Sequence, residues 1–465
     1  MQRFALIAGF LGLLSLVAPA ASQQNLLPQL SLDAAGACRQ LSVRDRDSNA
    51  LVPMGCLSAG KWRLPSSGLT TLPEGEATLG DAFASRQKVF RFDPRVYGAT
   101  CNGSGTGDDK GINAAIAALQ AAGGGTLHVP GKCVISRGKT VTGVPIVITG
   151  DGFGSSQLIG SASFTGGAPF LLRLDISGGS NLTATVTGVG FRTAQTEAVS
   201  ALQIEGSVSG LEERAVVSDV EIRGTNVATA GFTYGLQLRN VNGPKVSRVT
   251  ITGRQTGNGP SGLTNMTACI DVVNTIGSMT NYAFSDVRCN AAKLGWNMNG
   301  YIEGVLCTRC FAIAVGTGWR ARPGAIVPLL NISQSHADFF DAGVDVEQMA
   351  QGFYTANLFY HRSDSTGPGI CYQMSNNSKQ SSIIGGECYN ASNATSLTGV
   401  NWNNTSDSLV SDVIFRGLAA GVTNTNGSTN NIYRRGILTE NAPTFGEHGN
   451  GGSNTNICIG YNAAC

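Results

Sequence analysis

Leu236-Gln237-Leu238, Ile270-Asp271-Val272 and Trp296-Asn297-Met298 are three successive copies of one short strand, apolar–polar–apolar. The same form appears upstream as Leu172-Arg173-Leu174 and Leu202-Gln203-Ile204. Downstream it returns as Val344-Asp345-Val346, Tyr372-Gln373-Met374 and Val400-Asn401-Trp402. Most steps between copies are 26 to 34 residues, and the jump from Trp296 to Val344 holds either one further coil or an insertion. A second strand follows each copy by 12 to 18 residues, most clearly as SDVEI, SRVTI, SDVRC and SDVIF. Its fifth position reads Ile222, Ile251, Cys289, Cys310, Cys388 and Phe415, all buriable. Strand residues alternate faces, so the apolar members fill an interior and the middle residue points outward. Short strands with Gly and Asn at the corners, where left-handed backbone is tolerated, describe a solenoid with coils stacked in register. A sandwich would space its strands near ten residues and a propeller needs blades of about 40. The pattern predicts an all-β chain wound as a right-handed parallel β-helix.

Ahead of the repeats, DDKGINAAIAALQAAGGG reads as one helix. Asp108 and Asp109 stand at its amino end, where carboxylates satisfy free N–H groups and complement the dipole. Ile112, Ile116 and Leu119 share one face, and the triple Gly ends it. This N-terminal helix is expected to cap the open end of the solenoid, because an uncovered strand edge invites aggregation.

The stretch VYGATCNGSGTGDDKGINAAIAALQAAGGGTLHVPGKCVIS, followed by VITGDGFGSSQLIG, resembles the opening segment of the pectate-lyase superfamily. That group includes rhamnogalacturonase- and epimerase-like β-helix proteins, and related segments occur on phage tail spikes. The shared features are the aromatic-Gly-Ala start, the Asp-Asp before the helix, the G-G-G-T strand, the P-G turn and TGDGFGSS. They cover about residues 92 to 160 and include no catalytic residue; the later coils match only as generic repeats. The resemblance implies a protein that degrades or modifies polysaccharide. GDGFG is followed by another strand, whereas phosphate-cradling Gly loops open a helix, so it is not read as a nucleotide site.

The chain has 465 residues, 62 of them Gly, with 32 basic against 30 acidic residues. A net charge of +2 supplies no field for nucleic acid or a membrane surface, and neither is expected as a partner. Residues 1 to 20 read as a signal peptide. The basic start ends at Arg3, FALIAGFLGLLSLV gives 14 apolar positions, and Ala18-Pro19-Ala20 supplies the cleavage pattern. A membrane anchor needs about 18 or more such residues. Secretion into an oxidising compartment suits the 12 cysteines, with Cys38/Cys56, Cys101/Cys133 and Cys458/Cys465 as local pairs. Cys307-Thr-Arg-Cys310 lacks both the helix of a redox unit and the second pair of a zinc site, and is read as structural. Residues 21–88 form a loosely patterned leader, 89–440 the β-helix and 441–465 a C-terminal tail.

The outward residues of the first strand are Arg173, Gln203, Gln237, Asp271, Asn297, Asp345, Gln373 and Asn401. Two residues further on stand Asp175, Glu205, Arg239, Val273, Asn299, Glu347, Ser375 and Asn403. Carboxylates, carboxamides and guanidiniums in a flat array match sugar hydroxyls, which need paired donors and acceptors. Any solvated strand face is polar, so the list locates a face better than it names its members. Candidate substrate-binding residues are Arg239, Asn297, Arg288, Arg309 and Tyr360.

Two chemistries fit. Hydrolysis needs two carboxyls, and Asp345 and Glu347 lie two residues apart on one strand face, with Cα atoms roughly 6.6 Å apart. That falls near the roughly 6.5–9.5 Å carboxyl spacing of inverting glycosidases. Asp271, at least two coils away, would support them. Elimination from a uronic acid needs a base and a cation, for which His361, between Tyr360 and Arg362, and the arginines stand as candidates. His336, Asp338 and Asp341 add to the densest acidic segment. β-Helix lyases often use Ca²⁺ held by carboxylates, and Asp271, Asp345 and Glu347 could serve. No EF-hand-like loop or histidine cluster strengthens that idea, and no cofactor is assigned. In FYTANLFYHR, Phe353 and Phe359 read as interior filling. Beside a glycoside hydrolase or lyase acting on an acidic or pectin-like polysaccharide stands a non-catalytic carbohydrate-binding adhesin or tail-spike-like module.

Overall fold

The computed structural model describes residues 91–434 apart from 105–106, 166–169, 180–181, 197–198, 208–213, 258, 264–265, 323 and 393–395, and without the side chain of 433. Beyond that span it describes only the backbone of short strands. The chain divides into two compact units, Met1–Gln87 and Lys88–Cys465. In the first, the strands Gln29–Leu32, Arg39–Arg44, Leu51–Ser58 and Lys61–Arg63 pair antiparallel in chain order. The signal-peptide reading and the pairs Cys38/Cys56 and Cys458/Cys465 fall outside the described side chains.

The second unit is a right-handed parallel β-helix with three sheets. One coil shows the plan: Tyr234–Arg239 lies in the first sheet, and Lys245–Thr252 bends across the second and third. Each strand pairs parallel with its equivalents before and after, so Gln203, Gln237, Asp271 and Asn297 stand in one ladder. The jump after Trp296 holds one further coil, Phe311–Ala321, which places Arg320 between Asn297 and Asp345. Pairing also continues past residue 440, through Thr444–Glu447 and Ile457–Ile459, into what the sequence marks as a tail.

Alternation fills the interior as expected: Ile222, Ile251, Cys289, Cys388 and Phe415 are all fully buried. Cys310 is not in that column, because Cys289 pairs with Ala312. Inside each coil a first-sheet residue and a third-sheet residue approach closely, and their sizes compensate. A Cβ on Gly343 would stand 2.9 Å from the Phe359 ring, and one on Gly399 2.5 Å from Phe415, so a bulky partner requires glycine there. Gly235 faces Ile251 in the same way. In two coils the pair is a disulfide instead, Cys269–Cys289 and Cys371–Cys388. Cys101–Cys133 and Cys307–Cys310 are also joined, both of the latter buried.

A single left-handed residue turns the chain between second and third sheets: Asp219, Arg248, Asp286, Arg309, Gln334, Ala356, Gly385 and Asp412, with φ from 51° to 65°. So Asp, Arg, Gln and even Ala take a conformation expected of Asn and Gly, held there by the coils above and below.

The helix α1, Asp108–Ala121, is present. Ile112, Ile116 and Leu119 are buried, and the two isoleucines line a closed apolar cavity of about 20 Å³ with Leu127, Ile148 and Phe191. The two aspartates do not cap it. Asp108 accepts from Thr100 N, Cys101 N and Val134 N at 2.7–3.0 Å, and Asp109 accepts from Ser136 N and pairs with Lys139. They tie the helix to the first coil rather than to its own amide groups. Deeper in, Trp296 and Trp319 stack at 5.1 Å, and Phe359 and Tyr372 extend the aromatic column. Phe353 does not join it: it points outward from the second sheet and is 40% exposed, while its neighbour Tyr354 is buried.

Candidate functional site

The outward ladder of the first sheet is a chain of hydrogen bonds. Ser200 Oγ donates to Gln237 Oε1 at 2.7 Å, and Gln237 Nε2 donates to Asp271 Oδ2 at 2.9 Å. Asn297 Nδ2 donates to the other oxygen of Asp271 at 2.8 Å. Further along, Asn401 Nδ2 donates to Gln373 Oε1 at 2.8 Å and Thr423 Oγ1 to Asn401 Oδ1 at 2.9 Å. Carboxamides recur because each offers a donor to one neighbour and an acceptor to the other, which is what a stacked polar column requires. Burial pushes the Asp271 carboxyl up; the two amide donors and the charge of Arg239 pull it down without cancelling that rise. With both oxygens occupied and 3% exposure, Asp271 organises the ladder and presents no free carboxylate.

Between these two runs lies the charged part. Arg322 Nε stands 2.7 Å from Asp345 Oδ1 and 3.2 Å from Glu347 Oε1, and its terminal nitrogen donates to Ser375 Oγ at 2.7 Å. Both carboxylates contact one atom, so their nearest oxygens are at most the sum of those distances apart, about 5.9 Å. That is shorter than the roughly 6.5–9.5 Å of inverting enzymes and nearer the roughly 5–5.5 Å of retaining ones. Burial pushes Asp345 up, Arg322 and Arg320 pull it down, Glu347 pushes it up again, and the net direction is upward. Arg320, one coil before Asp345, keeps its buried Nε without a hydrogen-bond partner.

The sequence candidates therefore separate. Asp271, Asn297, Arg239, Asp345 and Glu347 share the first sheet. Arg288 and Tyr360 face outward on the third sheet, Arg288 bonded to Asn290 and Tyr360 packed at 5.4 Å on Tyr389. Arg309 is at the corner between second and third sheets, with its guanidinium on Asp286 at 2.7 and 2.8 Å. His361 is fully buried. Its Nδ1 lies 3.0 Å from Asn390 Oδ1 and its Nε2 3.1 Å from the Phe340 carbonyl and 3.0 Å from Ser365 Oγ. Both ring nitrogens are engaged inside the protein, so it is a structural link and no base for a bound chain. Asp338 pairs with Arg362 on the third sheet, apart from Asp345.

Arg320 and Arg322 are the residues sequence reading missed. Trp319-Arg320-Ala321 carries the apolar–polar–apolar signature, but its steps of 23 and 25 residues are shorter than the rest. The carboxylates named for Ca²⁺ do not suit it: an arginine already occupies Asp345 and Glu347, and amides fill Asp271. Among the described residues no group of three or more His, Cys, Asp or Glu could hold a metal.

A loop borders this face where third sheet passes to first. After Thr252 the chain reaches across three coils, and Gly259 N donates to Asp364 Oδ2 at 2.8 Å. Leu263 packs with Ala291 and Phe340 beneath it.

No protein-family model matches the chain, and the search of curated proteins found no match. Solved structures match its architecture at low identity. The A-module of mannuronan C-5 epimerase AlgE4 from Azotobacter vinelandii is 15% identical at a TM-score of 0.47, over 78% of this chain and 99% of that one. The catalytic unit of a GH87 alpha-1,3-glucanase from Streptomyces thermodiastaticus is 13% identical at 0.44, over 85% and 71%. The tailspike protein of E. coli bacteriophage HK620, solved in complex with a pentasaccharide, is 10% identical at 0.42, over 92% and 83%. These likenesses assign no residue.

Proposed function

We propose that this chain is a secreted polysaccharide-active protein that holds an acidic glycan along its first sheet and hydrolyses it at Asp345 and Glu347. One observation carries the reading: two carboxylates share Arg322 in the middle of an otherwise neutral carboxamide ladder, with the partnerless Arg320 Nε one coil away. The carboxamides would take sugar hydroxyls in successive coils, roughly 4.8 Å apart. Arg320 would take a substrate carboxylate, a geometry its planar fork suits. Asp345, raised by burial, would be the acid that protonates the glycosidic oxygen, and Glu347 the nucleophile or base. Arg322 would then move from the carboxylates to the substrate.

The four disulfides agree with life outside the cytoplasm. The experiment is to incubate the disulfide-formed protein with pectic, alginate and neutral polysaccharides, following reducing ends and the ultraviolet absorbance of unsaturated uronates. Reducing ends alone support hydrolysis; both signals together overturn it in favour of elimination. A second reading, a non-catalytic glycan-binding module, is favoured by the ion pairs themselves, since Arg322 leaves neither carboxylate free. Binding without turnover would establish that reading.

A further inference from the structure

Around the corner that follows the first sheet runs a groove of about 670 Å³ across successive coils. Its floor is apolar, made by Pro328, Leu329 and Ala350. Carboxamides edge it: Gln351 and Gln380 are exposed and joined at 3.2 Å. Glu303 stands at one end, accepting from Ser278 Oγ at 3.1 Å, and Lys379 at the other, three coil steps or roughly 14 Å away. Gly304, at φ 81°, adds no side chain and keeps the channel open beside Glu303.

We propose that this groove is a second glycan-binding site, taking a neutral extended oligosaccharide along the solenoid axis. Sugar rings present apolar C–H faces and hydroxyl edges, and an apolar floor with carboxamide rims matches both. One acid and one base leave no net charge, which sets the groove apart from the arginine-rich first-sheet face. Main-chain groups are already used between coils: Gln351 N donates to Pro328 O at 2.7 Å, Lys379 N to Met349 O at 2.7 Å and Gln380 N to Ser406 O at 3.0 Å. An extended peptide would therefore find no strand edge to join, and recognition falls to side chains.

The test is calorimetric titration of the full chain with cellohexaose, mannohexaose and maltohexaose. The proposal expects at least one to bind at a single site, about tenfold more weakly in Ala350→Trp, which fills the floor. Gln351→Ala/Gln380→Ala, which removes only the rim, should weaken it similarly, and Glu347→Gln should not, with melting temperatures unchanged throughout. Silence from all three sugars up to millimolar concentration overturns it. So does wild-type affinity in both groove variants, or loss of binding in Glu347→Gln, which would put the sugar on the first sheet. Turnover of acidic polysaccharide reads out the other face independently.

Discussion

Arg322 Nε lies 2.7 Å from Asp345 Oδ1, across adjacent coils of the first sheet. The contact is inter-coil, so it exists only when the solenoid is wound in this register, and it holds the carboxylate where a glycan would lie.

Asp345→Asn and Glu347→Gln should each lower turnover at least about 10²-fold while leaving the melting temperature near wild type. Both side chains sit on the outer face, and neither change removes a packed apolar group. Initial rates on the responsive polysaccharide, with thermal unfolding as the control, check this. Full activity in both variants removes the assignment.

The pH profile follows from the direction of the Asp345 shift. A general acid must carry its proton, and burial raises this carboxyl above its ordinary value, so turnover should fall as pH rises through that raised pKa. Arg322 pulls the value down; Arg322→Ala should move the alkaline limb to higher pH. A limb that stays put or moves downward contradicts the role of Asp345 as acid.

Asp109 gives the opposite sign for stability. Burial raises it, but the hydrogen bonds from Lys139 and Ser136 outweigh burial and its pKa is lowered. The stabilisation is then present above the unfolded pKa near 3.8 and lost as pH falls through the lower folded value. Asp109→Asn should flatten the acid dependence of the melting temperature. An unchanged slope between wild type and variant would show that the Lys139 pair contributes nothing.

The paired sizes inside the coils predict a rescue. Replacing Cys269 and Cys289 by Gly and Ile copies the Gly235–Ile251 pair one coil earlier, whereas Ala and Ala leaves a void. Both variants lose the cross-link, so the difference reports packing. Thermal unfolding should rank Gly/Ile above Ala/Ala, and the reverse order would mean the two coils do not share an interior geometry.

His361→Gln should lower the melting temperature and soluble yield, with the folded fraction retaining its turnover. Arg309→Ala should leave turnover unchanged, because its guanidinium serves a corner on another face. A selective loss of rate in either variant, at unchanged stability, would return that residue to the site.

The solenoid was legible because period and alternation repeat over many coils, so that Gln237, Asp271 and Asn297 announce one outward ladder. The same alternation would have placed His361: Phe359 points in, so His361 does too and Tyr360 points out. Arg322 was illegible for another reason. Its role depends on the stacking of two coils, and the short steps around Arg320 hid that coil. Asp108 and Asp109 look like a helix start from local sequence, yet their partners are Val134 and Ser136, more than 20 residues away, which no local pattern shows.

The measurement closest to the central claim is the turnover of a pectic and alginate panel by wild type, Asp345→Asn and Glu347→Gln side by side, scored by reducing ends and unsaturated uronates. The account predicts reducing ends from the wild type on an acidic polysaccharide, no ultraviolet signal, and near loss of activity in both variants. Equal activity in all three, or elimination products, would contradict it.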